Sequence, residues 1–209
     1  MSERDTAAAR LAASWLLSYP DDRLESQLVA IRAVAAELPA DMGAPLEEFI
    51  THVDAMPMGE LQAHYVLIFD MRRKACPYLT YWTDGDTRNR GMALLHFKQA
   101  YQACGYDLGN EELADHLSVV LEFAAVGDRL TGEALLAEHQ EPIRLLRDAL
   151  ARMESPYVHV LDCVVATLPA ITPEVRERMA QLAAAGPPTE SVGLEGYTST
   201  LIETIGVRR

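Results

Sequence analysis

The chain has 209 residues, and its 31 Asp and Glu outweigh 18 Lys and Arg to give a formal charge of −13. That balance speaks against nucleic acid and anionic membrane surfaces as ligands, since both are bound by basic surfaces that displace counterions. With 49% hydrophobic and 23% charged residues the composition is that of an ordinary globular chain, long enough to bury a core without cross-links.

Helix-forming residues dominate and runs of alternating β-branched residues are nearly absent, so an all-α bundle of about nine to ten helices is expected. Ala8, Leu11, Ala12, Trp15 and Leu16 recur at helical steps from Thr6 to Ser18, and Tyr19-Pro20-Asp21-Asp22 then turns the chain. Further helices are predicted over Leu24–Leu38, Pro45–Ala55 and Met58–Met71, punctuated by Pro39, Gly43 and Pro57. Next come a basic triplet, Arg72-Arg73-Lys74, an aromatic run of Tyr78, Tyr81 and Trp82, and a turn at Asp84-Gly85-Asp86. A helix capped by Thr87 runs through Leu94, Phe97, Tyr101 and Cys104 to Gly105, and another extends from an Asn110 cap to Val126. One long helix over Thr131–Met153 and shorter ones over Pro156–Leu168 and Pro173–Ala185 complete the body, residues 1–186. A lobe boundary is placed at residues 127–132, between Gly127 and Gly132. Residues 187–209, opening on Pro187-Pro188, read as a flexible C-terminal tail.

Three dispersed cysteines, Cys76, Cys104 and Cys163, form no C-x-x-C pair, which argues against a disulfide framework or a four-ligand zinc site and for a reducing compartment. No apolar run reaches the ~18–20 residues of a membrane helix, and the N-terminus lacks the pattern of a secretory signal, so a cytoplasmic location is expected. The G-x-S-x-G, Walker, dinucleotide and H-E-x-x-H motifs are all missing. Gly85–Gly91 precedes a helix, yet Asp84 and Asp86 would repel a phosphate there, so turn plus cap is the better reading. His64, His96 and His116 with Asp84, Asp86 and Asp115 raise a metal-dependent hydrolase as an alternative. Against it, the adjacent Asp115 and His116 diverge by about 100° on a helix, so neither a metal nor a catalytic set is assigned.

The segment Glu111–Val126 is the most informative. Leu113, Leu117, Val120, Leu121 and Ala124 fall on one side and make the core contact, while Glu112, Asp115, Val119, Glu122 and Val126 collect on the other. His116 and Phe123 stand between them. A solvated face is one reading. The other is a receptor face, because carboxylates mixed with branched apolar residues suit a basic amphipathic segment. The Tyr78, Tyr81, Trp82 run is core packing, cleft lining, or both.

Tyr78-Leu-Thr-Tyr-Trp-Thr-Asp-Gly-Asp-Thr-Arg-Asn-Arg-Gly91, the following Met92-Ala-Leu-Leu-His-Phe-Lys-Gln-Ala-Tyr101 and Glu112-Leu-Ala-Asp-His-Leu-Ser-Val-Val-Leu-Glu-Phe123 resemble the NarJ-type nitrate reductase molybdenum cofactor assembly chaperones. These belong to the TorD-like, all-helical maturation proteins. The likeness extends from Trp15 and Tyr19-Pro20 through Tyr65 and Phe69-Asp70 to Val192-Gly-Leu-Glu195. It implies a non-enzymatic cytoplasmic chaperone, a monomer or weak homodimer without a cofactor of its own. Such a chaperone binds the N-terminal segment of the apo alpha subunit of nitrate reductase, keeps it open for cofactor insertion and delays its membrane docking. Where the wider group has Glu-Leu-Pro-Asp-His-Leu-Pro, Ala114 and Ser118 replace both prolines here, which is expected to make this helix more regular.

Joining both lines, the expected client site comprises Tyr78, Leu79, Tyr81, Asp84, Asp86, Glu112, Asp115, His116, Val119, Glu122 and Phe123. Apolar anchors enter between the aromatic residues, carboxylates meet client cations, and His116 tunes release near neutral pH. A structural helical adaptor that stays in its complex is the remaining alternative.

Overall fold

A computed structural model describes residues 2–85, 88–109, 112–170, 172, 173 and 177. Among these the chain forms ten α-helices and no strand beyond one isolated bridge. The first, α1 (Glu3–Leu16), opens at Ser2, whose hydroxyl accepts the Asp5 N–H at 3.0 Å, and places Glu3 and Asp5 at its positive end. Its small apolar residues Ala9, Ala12 and Ala13 are buried, which lets it lie closely against three other helices. These are α2 (Leu24–Glu37), α7 (Leu117–Val126) and α10 (Tyr157–Ala166). α3 (Ala40–Asp54) closes against α2 and α10, and α9 (Gln140–Arg152) packs on α10 from elsewhere. α8 (Arg129–Glu138) folds back on α7.

The remaining helices frame the site. α4 (Met58–Tyr65) runs directly into a π-helical turn at Val66–Asp70, and α5 (Leu79–Asp84) ends at Gly85, whose φ of 59° is the left-handed conformation that glycine adopts freely. α6 (Arg88–Ala103) packs on α5. Tyr157 ties α10 to the α3–α4 region, its ring 4.8 Å from Phe49 and 4.7 Å from Phe69. The buried Arg10 guanidinium (2% exposed) donates to the Thr167 carbonyl at 2.6 Å and lies 3.8 Å from Glu133, so its charge links α1 to α8 and to the end of α10.

Three expectations need correction. α3 begins at Ala40, five residues before Pro45, because the Pro39 carbonyl accepts the Met42 and Gly43 N–H groups and Met42 is drawn into the core. The long helix expected over Thr131–Met153 is two helices broken at His139, whose ring nitrogen Nδ1 bonds the Leu135 carbonyl at 2.8 Å. Pro142 then sits in the first turn of α9, where a missing N–H costs nothing. Residues 112–116 are not helical, so the expected greater regularity from Ala114 and Ser118 is not found, and α7 starts only at Leu117. The expected caps Thr87 and Asn110, the Pro173–Ala185 helix and the tail at 187–209 lie outside the described residues, apart from single positions.

Two consequences are measurable. A Cβ added at Gly132 would stand 2.5 Å from Ala124 Cα, so the α7–α8 crossing has no room for it. Gly132→Ala is expected to lose about 1–3 kcal/mol of unfolding free energy by urea titration. His52, His64, His116 and His139 all have their basicity lowered, chiefly by burial. The unfolded chain therefore binds more protons below the ordinary histidine value of 6.5, and stability falls as pH drops through that region. The urea midpoint should decline from pH 7.5 to 5.5, and His52→Gln with His64→Gln should flatten the decline.

Candidate functional site

The site is assembled around the outward face of α7. The helix starts where it does because two distant segments pair: Leu117 N–H donates to the Pro77 carbonyl and Leu79 N–H to the Asp115 carbonyl, both at 3.0 Å, flanking an antiparallel bridge between Tyr78 and His116. Asp115 is wholly buried, and its Oδ2 accepts the Thr80 N–H at 3.1 Å and the Thr80 hydroxyl at 2.6 Å. His116 is the N-cap of α7, its Nδ1 accepting the Ser118 N–H at 3.2 Å and lying 2.6 Å from the Ser118 hydroxyl. Burial pushes this imidazole below its ordinary range, although Glu112, Asp115 and Asp70 pull the other way. A buried imidazole whose basicity is lowered is poorly suited to switch near neutral pH, against the expectation that its protonation tunes release there.

With that anchor in place, α7 presents Val119, Glu122 and Val126 outward, as the periodicity requires. One wall is the segment after α6, carrying Tyr106, Asp107 and Leu108. The other is the end of α1 and the following turn, carrying Trp15, Tyr19 and Asp21. Two hollows lie along the helix, one of about 230 Å³ against the first wall and one of about 510 Å³ between both walls, and both are lined by Leu108, Val119 and Glu122, so they form one trough. Phe123 is its floor, 7% exposed, with the Tyr101 ring centroid at 4.6 Å and the Tyr106 ring edge-on at 5.5 Å. Tyr106 hydroxyl donates to the Val126 carbonyl at 3.3 Å and holds that wall against the helix end.

The charge is mainly negative. Asp107, Glu112 and Glu122 line the trough, whereas Asp21 is neutralised by the Arg23 guanidinium at 2.7 Å. Glu112 is oriented by the Tyr78 hydroxyl at 3.1 Å and by the Leu113 N–H at 2.8 Å. Burial, with Glu112 next, pushes the Tyr78 phenol well above its usual range, so it stays a donor.

Of the residues singled out from sequence, Glu112, Val119, Glu122 and Phe123 come together in the trough. Tyr78 supports it from behind through Glu112. Leu79 is fully buried core, and Tyr81 and Asp84 line neither hollow. The Arg90 guanidinium lies 5.5 Å from the Tyr78 ring centre and 5.9 Å from that of Tyr81, and Asp84 accepts the Thr83 hydroxyl at 2.8 Å. Asp86 lies outside the described residues. Trp15, Tyr19, Tyr106, Asp107 and Leu108 were missed as lining residues; the signal was an aromatic followed by an acid just beyond a helix end, at Tyr19-Pro20-Asp21 and Tyr106-Asp107. Of the residues weighed as metal ligands, His64 packs on His52 and Tyr157, and His96 lies 3.6 Å from Glu138. Among the described residues no three potential ligands come together.

Residues 35–162 match the family model described as the nitrate reductase delta subunit. The chain is 31% identical over 169 residues to the probable nitrate reductase molybdenum cofactor assembly chaperone NarJ of Bacillus subtilis, covering 80% of this chain and 92% of that one. To the Escherichia coli chaperone NarJ it is 30% identical over 155 residues, 73% of this chain and 66% of that one. It is also 40% identical over 159 residues to the nitrate reductase-like protein NarX of Mycobacterium tuberculosis, 74% of this chain but only 23% of that protein's length.

Asp115 is the positioning residue of the site. Asp115→Ala removes both bonds to Thr80 and is expected to destabilise the chain by about 1.5–3 kcal/mol, read from urea unfolding. Amide exchange should quicken at the start of α7.

Proposed function

Because the chain belongs to the nitrate reductase delta subunit family, we propose that it works as a NarJ-type assembly chaperone for a molybdenum-containing nitrate reductase, and not as an enzyme. Its client is the apo alpha subunit, whose cationic, amphipathic N-terminal segment lies in the trough over α7. While that segment is held, cofactor insertion proceeds and docking to the membrane partner is delayed. Release of the segment lets the finished subunit go on to assembly. Among the described residues no helix is long and apolar enough to cross a membrane.

The observation that supports this reading best is the pairing, in one trough, of an apolar floor formed by Val119, Phe123 and Leu108 with a rim formed by Asp107, Glu112 and Glu122. Exposed ion pairs contribute only ~0–1 kcal/mol each, so the rim supplies orientation and a faster encounter while the floor supplies affinity. Tyr106, Tyr19 and Trp15 extend that floor toward both walls with flat area that loses little rotamer entropy on binding.

Calorimetric titration with the synthetic N-terminal segment of the alpha subunit tests the proposal. Val119→Asp should weaken binding by about tenfold or more, by placing an unpaired charge on the apolar floor. Glu112→Gln and Glu122→Gln should each weaken it only about two- to fivefold, with the effect shrinking as salt rises. Unchanged affinity in all three variants would remove the trough as the client site. Recovery of the chain from cells only with the mature, molybdenum-loaded enzyme would instead favour a structural subunit.

A further inference from the structure

The strongest feature that the proposed function leaves unused lies at the π-helical turn after α4. The inward side of this stretch is fixed: Tyr65, Ile68 and Phe69 are buried, and Met71 N–H bonds the Val66 carbonyl five residues back at 3.0 Å. A π turn is a rare and costly form that recurs at functional positions. Its outward side carries Leu67, 49% exposed, and Met71, 73% exposed, one helical turn apart. Arg72, Arg73 and Lys74 follow at once, all exposed.

In a chain of charge −13, cations readily find carboxylates. Arg10, Arg23, Arg32, Arg129 and Arg147 each stand within ion-pair distance of one. Arg72, Arg73 and Lys74 take part in no ion pair among the described residues. Among the described residues, single exposed cations such as Lys98 and Arg144 also take part in no ion pair, but only here do three stand in a row beside two exposed apolar side chains. None of the residues from 66 to 74 lines the trough over α7.

We infer that Leu67, Met71 and Arg72-Arg73-Lys74 form a second docking surface, which takes an acidic segment of the apo alpha subunit that also carries apolar side chains. The inference rests on the proposed client but concerns a different part of it from the cationic segment held over α7. Charge complementarity excludes the same segment from both places: the trough is negative and this surface positive. An anionic membrane fits less well, because three cations gain only about 1 kcal/mol each at a lipid surface while the net charge of −13 is repelled by it. A client already gripped by its N-terminal segment offers the rest of its surface at high effective concentration, so a contact too weak to act alone becomes occupied. The methionine and leucine supply adaptable apolar area, and the three cations supply orientation and a salt-dependent attraction.

The test compares four probes: the N-terminal segment as a peptide, the full apo alpha subunit from cells that make no molybdenum cofactor, the same subunit lacking the N-terminal segment, and phosphatidylglycerol vesicles. The chain carrying R72E, R73E and K74E should bind the peptide with unchanged Kd and the full apo subunit about tenfold or more weakly. The wild-type chain should retain weak binding to the shortened subunit that fades as sodium chloride is raised. L67S with M71S, which keeps every charge, should weaken the full subunit alone and so separates docking from misfolding. Equal affinity of the triple variant and wild type for the full subunit, an equal loss for peptide and subunit, or triplet-dependent binding to vesicles would each overturn the inference. If wild type fails to bind the peptide, the trough reading falls, while triplet-dependent binding of the shortened subunit would still support this surface.

Discussion

The site depends on the short pairing between residues 77–79 and 115–117. Two backbone hydrogen bonds at 3.0 Å would be a modest contribution alone. They matter because the buried Asp115 carboxylate completes the junction, accepting two donors from Thr80 and placing a negative charge just ahead of α7. The N-terminus of α5 and the start of α7 are thereby fixed to one another. Once the first residue of α7 is fixed, its axial rotation is fixed too, since Leu117, Val120, Leu121 and Ala124 enter the core. The outward placement of Val119, Glu122 and Val126 follows from that rotation, not from any interaction of their own.

The same junction explains what sequence could and could not disclose. Periodicity located α1, α2, α6 and α10 well, because each buries apolar residues at helical spacing, from Ala9, Ala12, Ala13 and Leu16 in α1 to Phe97, Ala100 and Tyr101 in α6. It failed at residues 112–116, where Leu113 keeps helical spacing with Leu117 and Val120 but the backbone of 115–117 is claimed by Pro77 and Leu79. A helical wheel then put Asp115 on the surface, since nothing local reveals that Thr80 waits 35 residues away. His139 failed for a related reason, its ring taking the Leu135 carbonyl that a continuous helix would have used. The acid-and-valine face of α7 was legible from its own spacing. The walls that turn that face into a trough were not, because Trp15, Tyr19 and Tyr106 reach it only through tertiary packing.

The trough divides its chemistry between rim and floor. Its carboxylates sit where water still screens them, so they act over distance and set polarity more than affinity. Glu112 differs from Glu122 in being held by Tyr78 and by a backbone N–H, so it pays less entropy to engage a cation but offers fewer free lone pairs. Phe123 cannot yield readily, since Tyr101 and Tyr106 brace it from two sides and Tyr101 is itself tied to the Ala114 carbonyl at 2.7 Å. A braced floor beneath a water-screened rim favours recognition by the spacing of apolar anchors.

Shape adds a constraint that composition does not. A small-molecule site usually encloses its ligand in one concave pocket with a few convergent polar groups. Here the two hollows are joined end to end through Leu108, Val119 and Glu122 along the length of a ten-residue helix. Such a surface is matched by something long, with anchors repeated along it, and a short peptide chain meets that requirement where a compact metabolite would leave half the floor wet. Length also allows graded release, because contacts spread along a trough can be lost one anchor at a time, each step costing a small part of the total.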